Sequence, residues 1–171
     1  GSSTVAGGVL NLVSATLNGW YFSEALSNAD NTITAGTGSL GTGDTYNFGS
    51  AAAPERTLGG LQSGSLNPTI GFWITNNTGS TITSLTINYT GEQWRLGTAG
   101  RVDRIDFQYS QNATSLITGS WIEADALDFI APVSSGSLGP LDGNLAANKT
   151  LVSSTIIGLY ITNGTNFFIR W

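Results

Sequence analysis

Cysteine, methionine and histidine are all absent from the 171 residues. Without cysteine the chain has no disulfide and no thiolate zinc or iron–sulfur site. Without histidine or cysteine it has no Ser-His-Asp or Cys-His nucleophile, and His-held zinc hydrolysis is excluded with them. The two easily oxidised side chains are missing together, which suits a long-lived extracellular protein. Charge is also scarce, at 10% of residues against about 25% in an average soluble protein. The six basic residues, Arg56, Arg95, Arg101, Arg104, Lys149 and Arg170, are scattered along the sequence. No basic stripe faces a phosphate backbone, so nucleic acid is not an expected partner. No run approaches the ~20 apolar residues of a membrane span. No secretory leader is visible, so a secreted protein would be seen here in mature or trimmed form.

What remains is glycine (23 residues), abundant Ser, Thr and Asn, and a 40% hydrophobic fraction sufficient for a globular core. The surface is therefore built from neutral hydroxyl and amide groups, as expected of a protein outside the cell beside copies of itself or beside sugars. A single domain over 1–171 is expected. Helical periodicity is nearly missing; the best helical window, Glu123 to Phe129, is short and reads better as strand or loop. Strand alternation is strong. Ile70, Phe72 and Ile74 share one face of Thr69–Thr75, with Trp73 on the other, and Leu85, Ile87 and Tyr89 share a face of Thr81–Tyr89. Between them, Asn76-Asn77-Thr78-Gly79-Ser80 predicts a hairpin loop. Arg104–Tyr109 alternates with Ile105, Phe107 and Tyr109 inward, and Leu151–Ile157 with Asn166–Trp171 forms a further pair around Asn163-Gly164. Short strands are expected at Gly8–Val13, Gly19–Phe22, Tyr46–Phe48 and Thr57–Leu61, with long loops at Asn28–Gly43 and Ala131–Asn148. Many short strands with turn signals between them predict an all-β antiparallel β-sandwich of jelly-roll type with long loops.

The surviving catalytic option is a carboxylate pair of the glycosidase kind, but none of the eleven acidic residues stands at diagnostic spacing. Oxygen ligands alone are plentiful, so calcium is the metal to expect, from Asp125 and Asp128, or from Asp142 with Asn144. Asp142-Gly143-Asn144 has only part of a calcium-loop pattern and also reads as a plain Asp-Gly turn. Aromatic rings flanked by polar groups are the usual platform for sugars, and Trp73 and Trp94, the latter beside Glu92 and Arg95, are the candidates; most such rings are core. Arg95 and Arg170 each adjoin a Trp and are expected to stack on it, with Glu92 or Glu55 holding the guanidinium. Asn-x-Ser/Thr sequons occur at Asn76, Asn88, Asn112, Asn148 and Asn163.

The run Asn76-Asn77-Thr78-Gly79-Ser80-Thr81-Ile82-Thr83-Ser84-Leu85-Thr86-Ile87, then Tyr89-Thr90-Gly91-Glu92-Gln93-Trp94-Arg95, resembles a module of bacterial extracellular multidomain proteins found in cyanobacteria, planctomycetes and Bacteroidetes. Glu55–Gly59 and Phe168–Trp171 fit the same pattern, and the resemblance extends from about Gly19 onward. It implies a secreted β-sandwich and no defined activity. Similar modules continue past the Arg-Trp pair into an Asp/Gly-rich stretch and a last strand resembling Gly-Ile-Asp-Asp. The resemblance therefore implies a missing final strand, an open edge beside Asn166, Phe167, Phe168, Ile169, Arg170 and Trp171, and an unfilled groove able to template a strand from another chain. The expected function is a non-catalytic structural or adhesive surface module, a fibre or matrix subunit assembling by strand addition or edge pairing with itself or with neighbouring domains. The alternative is a carbohydrate-binding module of a secreted hydrolase, with polysaccharide as partner.

Overall fold

The computed structural model describes residues 9–10 by their backbone, 20–30 and 32–171; the rest of the expected Gly8–Val13 strand lies outside the described residues. The strands run in order β1 (Val9–Leu10), β2 (Trp20–Ala25), β3 (Ile33–Gly36), β4 (Asp44–Phe48), β5 (Thr57–Leu61), β6 (Asn67–Thr75), β7 (Ile82–Glu92), β8 (Arg95–Leu96), β9 (Arg104–Ile105), β10 (Gln108–Ser110), β11 (Ile122–Glu123), β12 (Phe129–Ile130), β13 (Gly139–Pro140), β14 (Lys149–Ile161) and β15 (Asn166–Arg170). Among the described residues, helix is confined to two 3₁₀ turns, Asp125–Leu127 and Ala146–Asn148.

The architecture is an all-β sandwich. One layer is a six-stranded antiparallel sheet in the order β1-β2-β6-β15-β10-β11. The second layer is in two parts, the long ribbon β14-β7 and the three-stranded sheet β3-β4-β5. Both parts pack on the same face of the first layer. Cross-strand register shows why: Phe22 lies opposite Ile70, Trp20 opposite Phe72, Phe72 opposite Ile169 and Ile74 opposite Phe167, so strict alternation puts all of them on one side. Under the ribbon, Phe167 and Ile169 meet Val152, Ile156, Leu159 and Ile161, with Phe107 and Leu127 closing one end. Under the smaller sheet, Phe22 meets Ile33, with Trp20, Leu58 and Ile70 packed around them. Each fully buried side chain of this size stabilises by about 1.5–3 kcal/mol. The far face of the first layer is covered by the 111–121 loop, whose Ala113 and Leu116 pack on Phe168.

Several expectations are corrected by the layering. The strands flanking Asn76–Ser80 do not form a hairpin: β6 pairs with β2 and β15, and β7 pairs with β14. The segment is an arch that carries the chain from one layer to the other. The Asn163-Gly164 turn does the same in reverse, since β14 and β15 also lie in different layers. The expected assembly edge is corrected too. β15 (Asn166–Arg170) is an interior strand, bonded to β6 on one side and β10 on the other, and Trp171 extends the β6 pairing through two backbone hydrogen bonds with Ile70. Its apolar residues are what a strand covered on both sides requires. The loop expected at Asn28–Gly43 contains β3, which runs parallel to β4. Ile105 was expected inward but is exposed, because the chain breaks between β9 and β10 and resets the alternation; Phe107 alone is fully buried. No helix is long and apolar enough to cross a membrane among the described residues.

Candidate functional site

A cleft of about 1270 Å³ opens between the two parts of the second layer. Its floor is the inner face of the six-stranded sheet, with Trp20, Ile70 and Trp171 among the lining residues. Its rims are Thr57–Leu61 of β5 and Tyr89–Glu92 of β7. Among the described residues, β5 pairs only with β4, and β7 only with β14. Within that set each strand presents one row of backbone groups without a strand partner, and the two rows line one space. The floor is aromatic because Trp171 sits at the seam between the two core clusters. Its ring stacks on Trp20 at 5.9 Å and meets Tyr89 and Phe107 edge-on at 5.2 and 5.1 Å. Its indole N–H is buried without a hydrogen bond of normal geometry.

All five arginines line this cleft. Arg170 turns its guanidinium to the other face of the sheet, where it stacks on Trp121 at 3.9 Å, not on its neighbour Trp171, and bonds Gln108 Oε1 at 2.6 Å and the Leu116 carbonyl. The other four stay on the cleft side. Arg95 donates to the carbonyls of Gly38 and Ser39 at 2.9 and 3.2 Å, and Arg56 to those of Gly36, Asn47 and Ser50. Neither has a carboxylate within ion-pair distance among the described residues, nor has Arg170, so Glu92 and Glu55 do not hold Arg95 and Arg170 as expected. Arg101 and Arg104 pair with Asp103 and Asp106 at 2.5 and 2.6 Å. Four guanidiniums against Glu92, Asp103, Asp106 and the Asp128 that faces Arg104 leave this region formally neutral, so the chain's net charge of -5 lies elsewhere.

Of the residues singled out as sugar ligands, Trp94 is core. It is 4% exposed, lies parallel to Phe48 at 6.3 Å, and leaves room over its ring edge for no more than Gly143. Glu92 accepts its Nε1–H at 2.9 Å. Glu92, Trp94 and Arg95 are thus brought together, but as a structural corner. Trp73 is different. It is partly exposed on the outer face of the first layer, and its Nε1–H donates to the Tyr21 hydroxyl. The pair borders a recess of about 450 Å³ also lined by Gln111, Asn112, Asn166 and Phe168. All three amides turn their oxygen inward: Gln111 accepts from Tyr160 N at 2.9 Å, Asn112 from Ser120 N at 2.8 Å, Asn166 from Thr75 Oγ1 at 2.7 Å. Their NH₂ groups have no acceptor among the described residues. Sequence reading found Trp73 but not Tyr21, Gln111 or Asn112, since register and loop path alone bring these together.

The acidic residues proposed for calcium serve local structure. Asp128 accepts from Phe107 N at 2.8 Å and faces Arg104 at 3.6 Å. Asp142 accepts from Asn144 N at 3.1 Å, closing the Asp-Gly turn. Asp125 opens the 3₁₀ turn and accepts there from Asp128 N through its carbonyl. Among the described residues, the three carboxylates that converge to within 4.8 Å are Glu24, Asp30 and Asp44, which sequence spacing did not reveal. Glu24 Oε1 accepts from Thr45 N and Oγ1, and its Oε2 from Asp30 N; Asp30 Oδ1 accepts from Thr32 N and Oγ1. Thr32 holds the Asp30 carboxyl below its usual range, while burial pushes that of Asp44 up. An oxygen-only donor set of this kind suits a hard cation, but the local donors already account for how the cluster is held.

No family model, no curated protein and no solved structure matches the chain.

Proposed function

We propose that the protein is a non-catalytic extracellular assembly module completed by β-strand addition. An extended polypeptide segment enters the cleft, hydrogen-bonds to β5 on one side and β7 on the other, and joins the two parts of the second layer into one sheet. The observation that carries this reading is that two strand edges, unpaired among the described residues, line one cleft over an aromatic floor. Backbone pairing supplies affinity in such a mode, and alternate side chains reach the floor. The neutral, hydroxyl-rich surface fits a subunit of a fibre or surface matrix. Hydrogen exchange on native secreted material tests it. In the assembled form, the amides of 57–61 and 89–92 that point away from β4 and β14 are protected, and on dissociation those exchange freely. Native material that stays monomeric at high concentration, with both edges exchanging freely, overturns the reading.

A second reading, polysaccharide binding, is supported by the Tyr21–Trp73 recess. A fixed indole–phenol pair offers an apolar platform, and three amide NH₂ donors around it suit the oxygen acceptors of a neutral sugar. A glycan array tests it: binding that survives Trp94→Phe and is lost in Trp73→Ala supports the recess. Absence of binding, or binding indifferent to Trp73, removes it.

A further inference from the structure

We infer that the segment the cleft receives is acidic, an inference that rests on the strand-addition reading above. A strand lying between β5 and β7 would present alternate side chains to the floor and to solvent. The inward set would meet Trp20, Ile70 and Trp171 and must be apolar. The outward set would leave the cleft past the arginines that line it. Arg101 and Arg104 have side chains 60% and 54% exposed. Their pairs with Asp103 and Asp106 are surface pairs, worth about 0–1 kcal/mol each, so these are readily exchanged for carboxylates on an incoming strand, while Arg104 also keeps its contact with buried Asp128 at 3.6 Å. Arg56 and Arg95 carry charge that no carboxylate of the described residues offsets within ion-pair distance, and their bonds to neutral carbonyls leave that charge in place.

The charge distribution makes the preference directional. The cleft is formally neutral while the remainder of the molecule carries -5, so an acidic segment is repelled by the body and meets at this opening Arg56 and Arg95, which have no carboxylate partner among the described residues. A basic segment meets the reverse. The chemistry predicted for the partner is therefore a short stretch alternating apolar and Asp or Glu residues, with no proline within the paired run.

Three synthetic peptides of about six residues, enough to span the β5 edge at ~3.3 Å per residue, test this: alternating Val and Asp, the Val–Asn twin and the Val–Lys twin. Binding is read by titration calorimetry and, in parallel, by amide exchange at 57–61 and 89–92. The Asp peptide is expected to bind at least ~10-fold more tightly than the Asn twin at low salt, the Lys twin most weakly, with the gap closing near ~0.5 M salt. Both edges should gain protection on binding. Equal affinity of the Asp and Asn twins overturns the acidic inference and leaves strand addition standing. An Asp preference without protection at the two edges also overturns it, because the carboxylates are then held elsewhere. No edge protection by any peptide overturns both. Tethering the Asp peptide after Trp171, compared with adding it free, separates a segment supplied in the same chain from one supplied by another: protection independent of protein concentration marks the first and concentration-dependent protection the second, while tethered and free forms that both leave the edges unprotected overturn both readings.

Discussion

Asn76 binds the arch that leaves the first layer to Ile161, the last residue of the ribbon in the second: its Nδ2 donates to the Ile161 carbonyl at 2.7 Å. The same NH₂ reaches the Ser80 carbonyl at 2.8 Å, while Oδ1 accepts from Thr78 N and Oγ1 at 3.0 and 2.8 Å. The backbone takes part as well, with Asn76 N donating to Thr165 O and Gly164 N to Asn76 O. One amide side chain, 1% exposed, thus fastens both crossings between layers. Asn76→Ala strands buried carbonyls and should cost about 2–4 kcal/mol, read as a lower urea midpoint with unchanged slope. Asn76→Asp should be no better, since a carboxylate cannot donate to those carbonyls. The buried amide also makes the Asn76 sequon unusable in the folded state, so any glycan found on secreted material should map to the exposed sequons.

Trp171 links the two core clusters, and its loss should be felt in both. Trp171→Ala removes contacts with Trp20, Phe72, Tyr89 and Phe107. The expected cost is about 3 kcal/mol, at the low end for a Trp truncation because the ring borders the open cleft. Trp171→Phe should cost about half of that, as most of the edge-to-face geometry survives. Thermal denaturation of the two variants beside the parent decides it, and equal small losses would show that the ring does not join the clusters.

The strands were legible in the sequence where one face is core and the other is not. Thr69–Thr75 falls within β6, where period-two alternation marks the core-facing side, and the short runs Thr57–Leu61 and Tyr46–Phe48 fall within β5 and β4. Pairing was not legible. Asn76–Ser80 has the composition of a hairpin loop, and composition cannot distinguish a turn within a sheet from an arch between sheets; the difference lies in Asn76's partners 85 residues away at Ile161. The resemblance implied an open groove but placed the open edge at β15, whose continuous apolar run Phe167–Ile169 is the mark of a strand covered on both faces, and whose pairing with both β6 and β10 no such run reports. The cleft itself depends on which edges remain unpaired after the layers form, and no local pattern encodes that. Trp94 looked like a platform because Glu92 and Arg95 flank it in sequence, yet Glu92 binds its indole N–H and Phe48 and Gly143 pack against its ring.

Gly91 has no room for a side chain. A Cβ there would run into the Phe129 ring, whereas one at Gly64 meets nothing within 4 Å. Both glycines line the cleft. Gly91→Ala should cost about 1–3 kcal/mol by overpacking and should displace Phe129, visible as shifted aromatic resonances. Gly64→Ala should be silent in the same spectra and within about 0.5 kcal/mol in stability.

The Glu24–Asp30–Asp44 cluster should give two neighbouring carboxylates opposite pH signatures. Burial, the largest influence on Asp44, raises its pKa; hydrogen bonds from Thr34 and Thr45 act against that, and the charges of Glu24 and Asp30 add to it. The native state then holds the Asp44 proton more tightly than the unfolded chain. Its contribution to stability is favourable while the group is protonated and is lost as pH rises from the ordinary carboxylate value of 3.8 through the raised native value. At neutral pH the charged form carries the cost. Asp44→Asn removes that charge and keeps an oxygen for Thr45 N, now bonded at 2.7 Å. It should raise Tm by ~1–2 °C at neutral pH, with the gain shrinking to nothing as pH falls below the carboxylate range. Asp30 behaves in reverse. The side-chain and backbone hydrogen bonds from Thr32 lower its pKa, so its contribution is present above 3.8 and is lost as pH falls through the lowered value. Asp30→Asn should therefore lower Tm slightly at neutral pH and converge with the parent in acid. Melting curves of both variants across the acid range check the pair, and two variants shifting in the same direction would contradict the assignment of burial as the dominant influence on Asp44.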